Sequence, residues 1–302
     1  MKGYRQKMMR RSLPLYIMIL PGILLVLIYH YIPMAGITMA FQNFIPAKGL
    51  FGGQTWVGLD NFKFAFQLKE MWRAVRNTVL ISMGKIILSL VFPLIVSLML
   101  NEIRKLAFKR TVQTIIYLPF FMSWVLLSVM MRDMLSTTGI FNAIISMLGG
   151  KPVFFLGDNK VFPWVLIISD TWKNFGYNTI IYLAALTSVD PTLYESAVMD
   201  GAGRWKQTTH ITIPCISTTI VLLAVLSLGS IFNAGFDQIF NLYNPVVYES
   251  GDIIDTLVYR MGLINVQFSL SAAIGVMKSI VSCLLIAISY FLASRYANYR
   301  IF

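Results

Sequence analysis

Six apolar stretches, each long enough to cross a lipid bilayer, set the strongest limit on what this chain can fold into. A helix needs roughly 20 mostly apolar residues to cross about 30 Å of hydrocarbon. The stretches lie at about 13–34, 78–100, 112–134, 161–187, 214–236 and 272–294. We therefore predict an all-α, polytopic membrane protein with six transmembrane helices, in which residues 1–302 form a single transmembrane domain.

The composition agrees with a membrane protein and excludes other classes. Apolar residues make up 57% of the chain and charged residues only 13%, whereas a soluble domain is typically about 25% charged. So little charge leaves too little polar surface for an ordinary soluble enzyme. We assign the net charge of +12 to loops held in the cytosol, and not to nucleic-acid binding, because no basic stripe alternates with aromatic residues.

Lysine and arginine residues are unevenly distributed between the two sets of loops. If the N-terminus is cytosolic, thirteen of them lie in cytosolic segments and eight in outer segments that are collectively much longer. The positive-inside rule therefore predicts that both termini face the cytosol.

The sequence lacks the common signatures of a nucleotide site, a metal site and a hydrolase. The run 149–151 is followed by Pro152 and does not have the spacing of a phosphate-binding loop. His30 and His210 fall on opposite sides of the membrane in this topology, so they cannot share a metal. We expect no catalytic residue, no metal and no cofactor in this chain.

The predicted cytosolic loop at 188–213 carries signals for a short, capped helix. Asp190 is a good N-cap, and Pro191 has the fixed φ that suits the first helical position. We expect this helix to run to about Met199. Gly201 can take the left-handed conformation that ends it.

The rest of that loop should form a second short helix over 204–210, and Pro214 should open the fifth span. Leu193, Ala197 and Val198 share one face of the first helix. An exposed apolar face of this kind invites a partner protein. The alternative is a loop that packs back on its own bundle.

Three features of the loop stand at fixed spacing: the run Glu195-Ser196-Ala197, then Gly201, then Ile211-x-Ile213-Pro214. They resemble the EAA signature, E-A-A-x3-G-x9-I-x-L-P, of permease subunits from binding-protein-dependent ABC importers. Every spacing fits. Ser196 in place of Ala and Ile213 in place of Leu are mild departures in volume and polarity.

Runs outside the loop resemble the sugar-permease branch of that family: 57–62, 77–78, 101–102, 113–119 and 244–245. The runs Val247-Tyr248-Glu249-Ser250 and Asp255-Thr256 are most similar to LplB-type members. That branch handles oligosaccharides from polysaccharides and includes alginate importer permeases. The resemblance covers essentially the whole chain.

The resemblance implies a fold, a location and partners. It implies a type I ABC importer permease in the bacterial inner membrane. Its expected partners are a second, related permease, two ABC ATPase subunits and an extracellular solute-binding protein, which would meet the outer segments 135–160 and 237–271. It also implies a coupling role for seven loop residues that would contact the ATPase: Glu195, Ser196, Ala197, Asp200, Gly201, Arg204 and Trp205.

Span four offers a polar stripe suited to a hydroxyl-rich substrate. Its five side chains lie on one helical face: Asp170, Lys173, Asn174, Tyr177 and Asn178. Ionisable groups inside a membrane usually face a bundle interior or a wet cavity. The alternative is an internal pair between Asp170 and Lys173 that only fixes helix packing.

Span five adds Ser230, Asn233 and Asp237 as candidate substrate contacts, with small-residue packing beside Gly229 as the alternative. Lys85 and Lys278 could face an anionic ligand such as a uronate. Snorkelling or helix-end pairing is the competing interpretation for both lysines.

The sequence thus predicts a permease subunit of an ATP-driven importer for a carbohydrate, with an oligosaccharide as the expected substrate. An ion-gradient-driven secondary transporter is the alternative, but its expected inverted repeats and broken mid-membrane helices are not evident in the sequence. A membrane-bound structural or sensory protein is a further alternative.

Overall fold

Nearly all of the chain is helical in the computed structural model, which describes residues 2–50 and 52–296. It divides into two units, one built from residues up to 67 with 260–276, the other from 68–259 with the chain from 277 onward. Within the described ranges one small sheet occurs, in which β1 (Gln42–Asn43) pairs antiparallel with β2 (Thr55–Trp56). Residues 297–302, the C-terminus that we predict to be cytosolic, lie outside the described ranges.

The first unit begins with an unbroken helical run. Helix α1 (Lys2–Val26) continues through a π-helical turn (Leu27–Tyr31) into a 3-10 helix (Ile32–Phe41). The side chains from 14 to 33 are exposed, as expected for a helix that meets lipid and not a protein core. The π turn lies just before Pro33, where the wider turn accommodates a ring that cannot donate to the carbonyl four residues earlier.

The small sheet and one short helix complete the description of this unit's outer segment. Helix α2 (Asp60–Gln67) follows the sheet. The Phe41 ring stacks on Trp56 at a centroid distance of 5.6 Å, and the Asn61 amide donates to the Ala40 carbonyl at 2.9 Å. These contacts hold α2 against the chain that precedes it.

The second unit is a helical bundle organised around one long pair. Helices α3 (Lys69–Asn101) and α7 (Phe162–Leu186) make its most extensive contact. The other helices are α4 (Leu106–Tyr117), α5 (Trp124–Met134), α6 (Ile140–Met147), α8 (Pro191–Met199), α9 (Arg204–Gln207), α10 (Ile213–Leu228), α11 (Phe236–Leu242), α12 (Tyr248–Gly251) and α13 (Ile254–Tyr259). Helix α14 (Phe268–Tyr296) starts in the first unit and ends in the second.

The core of the second unit lies between α3, α7 and the segment after α10. Its buried members are Ile81, Phe162, Leu166, Ile167, Ala234, Ile239, Leu242, Val247 and Ile253. The segment 236–259 is therefore packed into the bundle and is not a free outer loop.

The stretch predicted as one span at 112–134 is bent. Helix α4 continues as a 3-10 turn (Leu118–Phe121), and α5 then departs at 102°. Pro119 lies in the turn, where it cannot donate a backbone hydrogen bond. Ser123 restarts the chain as the N-cap of α5, its hydroxyl accepting from the Leu126 amide at 3.3 Å.

The stretch predicted as 214–236 is shifted toward the N-terminus. The short helix expected over 204–210 is present as α9, and Pro214 lies in the first turn of α10. The two are not separate, because one helical run extends from Arg204 to Leu228. A π-helical turn (Thr208–Thr212) accommodates that proline. The run ends at Leu228, and residues 229–235 form a turn in which Gly235 has φ +90°, a conformation that suits glycine.

Four helical segments of the described chain are long and apolar enough to cross a membrane, or five if the bent pair is one span. The four segments are Pro14–Phe41, Lys69–Asn101, Arg204–Leu228 and Phe268–Leu292. The predicted span 161–187 corresponds to α7, which has 25 residues and is less apolar than these because it carries the polar stripe.

Candidate functional site

A cavity of about 350 Å³ opens inside the second unit, against the middle of α3 and α7. Its walls come from α3, the bend after α4, α7, α10 and the turn that follows α10. The lining residues are Ser82, Lys85, Ile86, Ser89, Phe120, Asp170, Asn174, Tyr177, Asn178, Ser227, Ser230, Asn233, Ala234 and Gly235. Most of them are polar, which is unusual for the interior of so apolar a chain.

Four of the five residues in the predicted stripe line this cavity. Asp170, Asn174, Tyr177 and Asn178 face it from successive turns of α7. The side chains of Asn174 and Asn178 make no hydrogen bond within the described part of the chain, so their donors and acceptors are open to a ligand.

Lys173, the fifth stripe residue, points elsewhere. Its ammonium donates to the Phe120 carbonyl at 2.8 Å and lies over the rings of Phe120 and Trp124, 5.3 and 5.7 Å from their centroids. A cation beside a helix C-terminus and over aromatic faces is favourable. Lys173 thus holds the bend between α4 and α5.

Lys85 is the buried ionic centre of the cavity wall, and the snorkelling interpretation is wrong for it. Only 8% of the residue is exposed. Its ammonium donates to the Ala234 carbonyl at 2.6 Å and to the Gln238 side-chain carbonyl, and it pairs with the Asp170 carboxylate at 3.5 Å. Lys85, and not Lys173, is therefore the ion-pair partner of Asp170.

Gln238 was missed in the sequence although it connects three elements. It is fully buried, and its amide donates to the Leu166 carbonyl at 2.8 Å and to the Ser169 hydroxyl at 2.7 Å. With Lys85 as the donor to its carbonyl, this one side chain links α3, α7 and α11. The signal in the sequence was weak, because the polar residues Asp237 and Asn241 lie close to Gln238 in the chain.

An aromatic pair forms one side of the cavity. The rings of Phe120 and Tyr177 are stacked at 4.2 Å with an interplanar angle of 6°. Two side chains of α7 therefore position the Phe120 ring. Lys173 binds the backbone carbonyl of Phe120, and Tyr177 stacks on the face of its ring.

Two of the three span-five candidates line the cavity and the third does not. Ser230 and Asn233 line the cavity, in the turn after α10. Asp237 does not line it: its side chain is exposed on α11. Lys278 also lies outside the cavity, where its ammonium pairs with Asp255, as the helix-pairing interpretation predicted.

A second candidate site is the elbow, residues 190–207, formed by α8, a turn and the first residues of the helical run from Arg204. Asp190 is the N-cap of α8, and its carboxylate accepts from the Thr192 amide at 2.9 Å. This hydrogen bond lowers the pKa of Asp190, because it favours the charged carboxylate. Gly201 has φ +74°, the left-handed turn that the sequence predicted.

One side of the elbow is fixed to the bundle. The Tyr194 hydroxyl lies 2.9 Å from the Thr212 hydroxyl, and its ring packs beside the buried cluster of Leu186, Val189 and Ile216. This side of the elbow is therefore packed against the bundle, and the elbow is not a loose loop.

The other side of the elbow is exposed and apolar. Val198, Met199 and Trp205 expose 61%, 87% and 79% of their surface, and a shallow hollow lies along Tyr194, Glu195, Ser196, Val198 and Met199. Arg204 pairs with Glu102, which directly follows α3, at 3.3 Å, and both side chains are more than half exposed. An exposed apolar patch of this kind is a candidate docking surface.

Comparison with known proteins decides the family. The model of the family described as binding-protein-dependent transport system inner membrane component matches residues 86–298. The chain belongs to this family. No group of three or more His, Cys, Asp or Glu that could hold a metal occurs in its described residues.

Among curated members of this importer family, the chain is 38% identical to protein LplB of Bacillus subtilis over 295 residues, covering 97% of this chain and 92% of that one. It is 40% identical over 289 residues to the polygalacturonan/rhamnogalacturonan transport system permease YteP of the same organism, covering 95% and 90%.

Among solved members, the chain matches a crystal structure of a bacterial ABC transporter involved in the import of the acidic polysaccharide alginate. The TM-score is 0.88 at 37% identity, covering 97% of this chain and 99% of that one. A second structure, of bacterial alginate ABC transporter in complex with an alginate pentasaccharide-bound periplasmic protein, gives 0.88 at 36% identity, with coverage of 98% and 99%. The ion-gradient alternative has no support from any of these relatives.

Proposed function

We propose that this chain, a permease subunit of an ATP-driven importer for an oligosaccharide, forms half of the translocation path, and that the cavity lies on that path. The observation that carries the proposal is the polar cavity of about 350 Å³, lined by amides, hydroxyls and one stacked aromatic pair. Sugars are bound by such groups, because their hydroxyls both donate and accept hydrogen bonds and their C–H faces pack on rings. The polysaccharides named for the relatives, polygalacturonan, rhamnogalacturonan and alginate, support a carbohydrate substrate.

Six spans, with both termini in the cytosol of a bacterial inner-membrane protein, fit the helices of the described chain. In this topology the bent pair counts as the third span and α7 as the fourth. The polar stripe of α7 then faces the cavity, so its lower apolarity does not expose charge to lipid. The excess of lysine and arginine in the cytosolic loops supports the orientation.

The elbow is the proposed coupling element. Seven of its residues would contact an ABC ATPase subunit: Glu195, Ser196, Ala197, Asp200, Gly201, Arg204 and Trp205. That subunit would supply ATP hydrolysis, for which this chain has no sequence motif. Because α8 is held to the bundle through Tyr194, a push on its exposed face would reach the helical run that ends beside the cavity. Rigid-body coupling of this kind needs only contacts that differ between two states.

The full importer would contain a second permease, two ATPases and an external solute-binding protein. A related permease would supply the other half of the path. The relative crystallised with a periplasmic protein supports the last of these partners. The substrate contacts proposed for this chain are Asn174, Tyr177, Asn178, Ser230 and Asn233, whereas Asp170 lines the same cavity as the ion-pair partner of Lys85.

Reconstitution tests the proposal. The chain, its second permease, the ATPases and the binding protein are placed in proteoliposomes, and uptake of a labelled oligogalacturonate is measured. Uptake should require ATP and the binding protein and should survive an ionophore that collapses ion gradients. Uptake that persists without ATP and stops with the ionophore would refute it.

A further inference from the structure

The cavity presents little charge to a ligand. Among the residues that the structure describes, Lys85 is the one cation in the cavity wall, and Asp170 is the one anion. The two form an ion pair at 3.5 Å. Some relatives are named for the transport of acidic saccharides, so a cation free to bind a carboxylate would be expected in the cavity wall. The described residues of the wall do not provide one.

The Lys85 ammonium already has three protein partners. It donates to the Ala234 carbonyl at 2.6 Å and to the Gln238 side-chain carbonyl, and the Asp170 carboxylate lies 3.5 Å away as its ion-pair partner. An incoming carboxylate would have to displace a buried partner. Lys85 therefore belongs to the packing that joins α3 to α7 and α11.

Lys173 is not a substitute cation. It does not line the cavity, and its ammonium is bound to the Phe120 carbonyl at 2.8 Å and covered by two rings. Lys85 and Lys173 are thus both used inside the protein. Lys278, which the sequence offered to an anionic ligand together with Lys85, pairs with Asp255 outside the cavity.

The unpartnered groups in the cavity wall are neutral. The Ser82 hydroxyl is buried, with 2% of the residue exposed, and has no hydrogen-bond partner, although it lines the cavity. Within the described chain the amides of Asn174 and Asn178 are likewise unbonded. A buried hydroxyl without a partner costs free energy unless a ligand or water satisfies it.

We infer that this subunit binds a saccharide through its hydroxyl groups and offers no cation to a carboxylate. Amides and hydroxyls both donate and accept, so a sugar hydroxyl can use all of their polar atoms, whereas a carboxylate, which only accepts, would leave their acceptor atoms unused. This inference rests on the proposed function. Any carboxylate on the substrate must be met by groups outside this cavity.

Ser82→Ala is the first test, because the change removes a hydroxyl that no protein group uses. Two labelled probes are compared in the complete importer: an oligogalacturonate and its carboxamide, which keeps the hydroxyls and loses the charge. For each probe that the unmodified importer transports, uptake by the Ser82→Ala importer should fall about fivefold, because one hydrogen bond to the substrate is lost. Ser97→Ala is the matched control: Ser97 is a buried serine on α3 outside the cavity, whose hydroxyl bonds the Leu94 carbonyl, and uptake should be unchanged.

A double variant tests the lysine. Lys85→Gln alone leaves Asp170 without its partner and should lower uptake about tenfold, whereas Lys85→Gln with Asp170→Asn removes both charges and should recover to within about threefold of the unmodified importer. A lysine that bound carboxylates would give no such recovery for the oligogalacturonate.

Two results would overturn the inference and leave the proposed function standing. The first is a Ser82→Ala importer with unchanged uptake. The second is a double variant that stays about tenfold down for the oligogalacturonate while the carboxamide is spared. An unmodified importer that moves neither probe would instead count against the proposed function itself.

Discussion

Lys85 on α3 and Asp170 on α7 form an ion pair at 3.5 Å in the wall of a polar cavity. The pair joins the two helices with the most extensive contact in the bundle. Gln238 extends it to α11, so that the turn after α10 is fixed by a buried polar cluster. The cavity wall thus combines an ion pair with amides that have no partner among the described residues and lie beside a stacked aromatic pair.

Asn174→Leu should lower oligosaccharide uptake about tenfold, because it replaces an unpartnered amide in the cavity by an apolar side chain of similar size. The measurement is initial uptake in proteoliposomes at a fixed concentration of loaded binding protein. Ile181→Leu, an exposed apolar position on the same helix, is the control and should behave as the unmodified chain. Unchanged kinetics for Asn174→Leu would remove this face of α7 from the path.

Gly201→Pro should abolish ATP-linked uptake while membrane insertion stays intact. Proline has φ near −65° and cannot adopt the φ of +74° found at Gly201. The change also removes the Gly201 amide hydrogen that bonds the Val198 carbonyl at 3.0 Å. Insertion is checked by protease protection, and uptake by the vesicle assay.

The matched comparison for the elbow turn is Gly201→Ala against Gly203→Ala. Alanine in the left-handed region costs roughly 1–2 kcal/mol, whereas Gly203 has φ −70° and open space at the Cβ position. Uptake should fall several-fold for the first and stay near normal for the second. Equal uptake by the two variants would mean that the turn geometry does not matter for coupling.

Lys173→Met should destabilise the protein by about 1–3 kcal/mol, because it leaves the Phe120 carbonyl without its donor in the bend between α4 and α5. Lys173→Arg should recover much of this, since a guanidinium can donate to the same carbonyl and stack on the same rings. Thermal unfolding in detergent gives both values. A Met variant as stable as the parent would show that the bend does not depend on this lysine.

Tyr194→Phe should loosen the elbow. It removes the hydrogen bond to Thr212 at 2.9 Å, worth about 1 kcal/mol, and leaves the ring packed in place. We expect ATP hydrolysis to continue with less sugar moved per ATP. A double-mutant cycle with Thr212→Val separates the hydrogen bond from ring packing, and additive effects in that cycle would contradict the pairing.

Local signals in the sequence predicted the elbow well, because caps and turns are set by neighbours in the chain. Asp190 caps α8, the helix ends at Met199, and Gly201 takes the left-handed conformation. The π-helical turn before Pro214 could not be foreseen: the proline reads as a helix start, yet a widened turn lets the helix run through it.

The cavity was predicted only in part, for a different physical reason. Helical spacing on α7 places Asp170, Asn174, Tyr177 and Asn178 on one face without any tertiary information. The partners of those residues come from distant parts of the chain: Lys85 and Gln238 are separated by 153 positions. Packing between helices decides which lysine pairs with Asp170. The periodicity of residues within one helix carries no information about that partner.

Cysteine crosslinking at the elbow most directly tests the central claim, which is that an ATPase subunit binds the elbow and drives transport through it. In a chain with Cys215 and Cys283 replaced by serine, Val198→Cys should crosslink to the ATPase subunit in the assembled importer, and the yield should change when ATP binds. Val246→Cys, equally exposed at 61% but remote from the elbow in the chain, should give no such product. ATP-driven sugar uptake by vesicles in which position 198 never crosslinks to an ATPase would contradict the account.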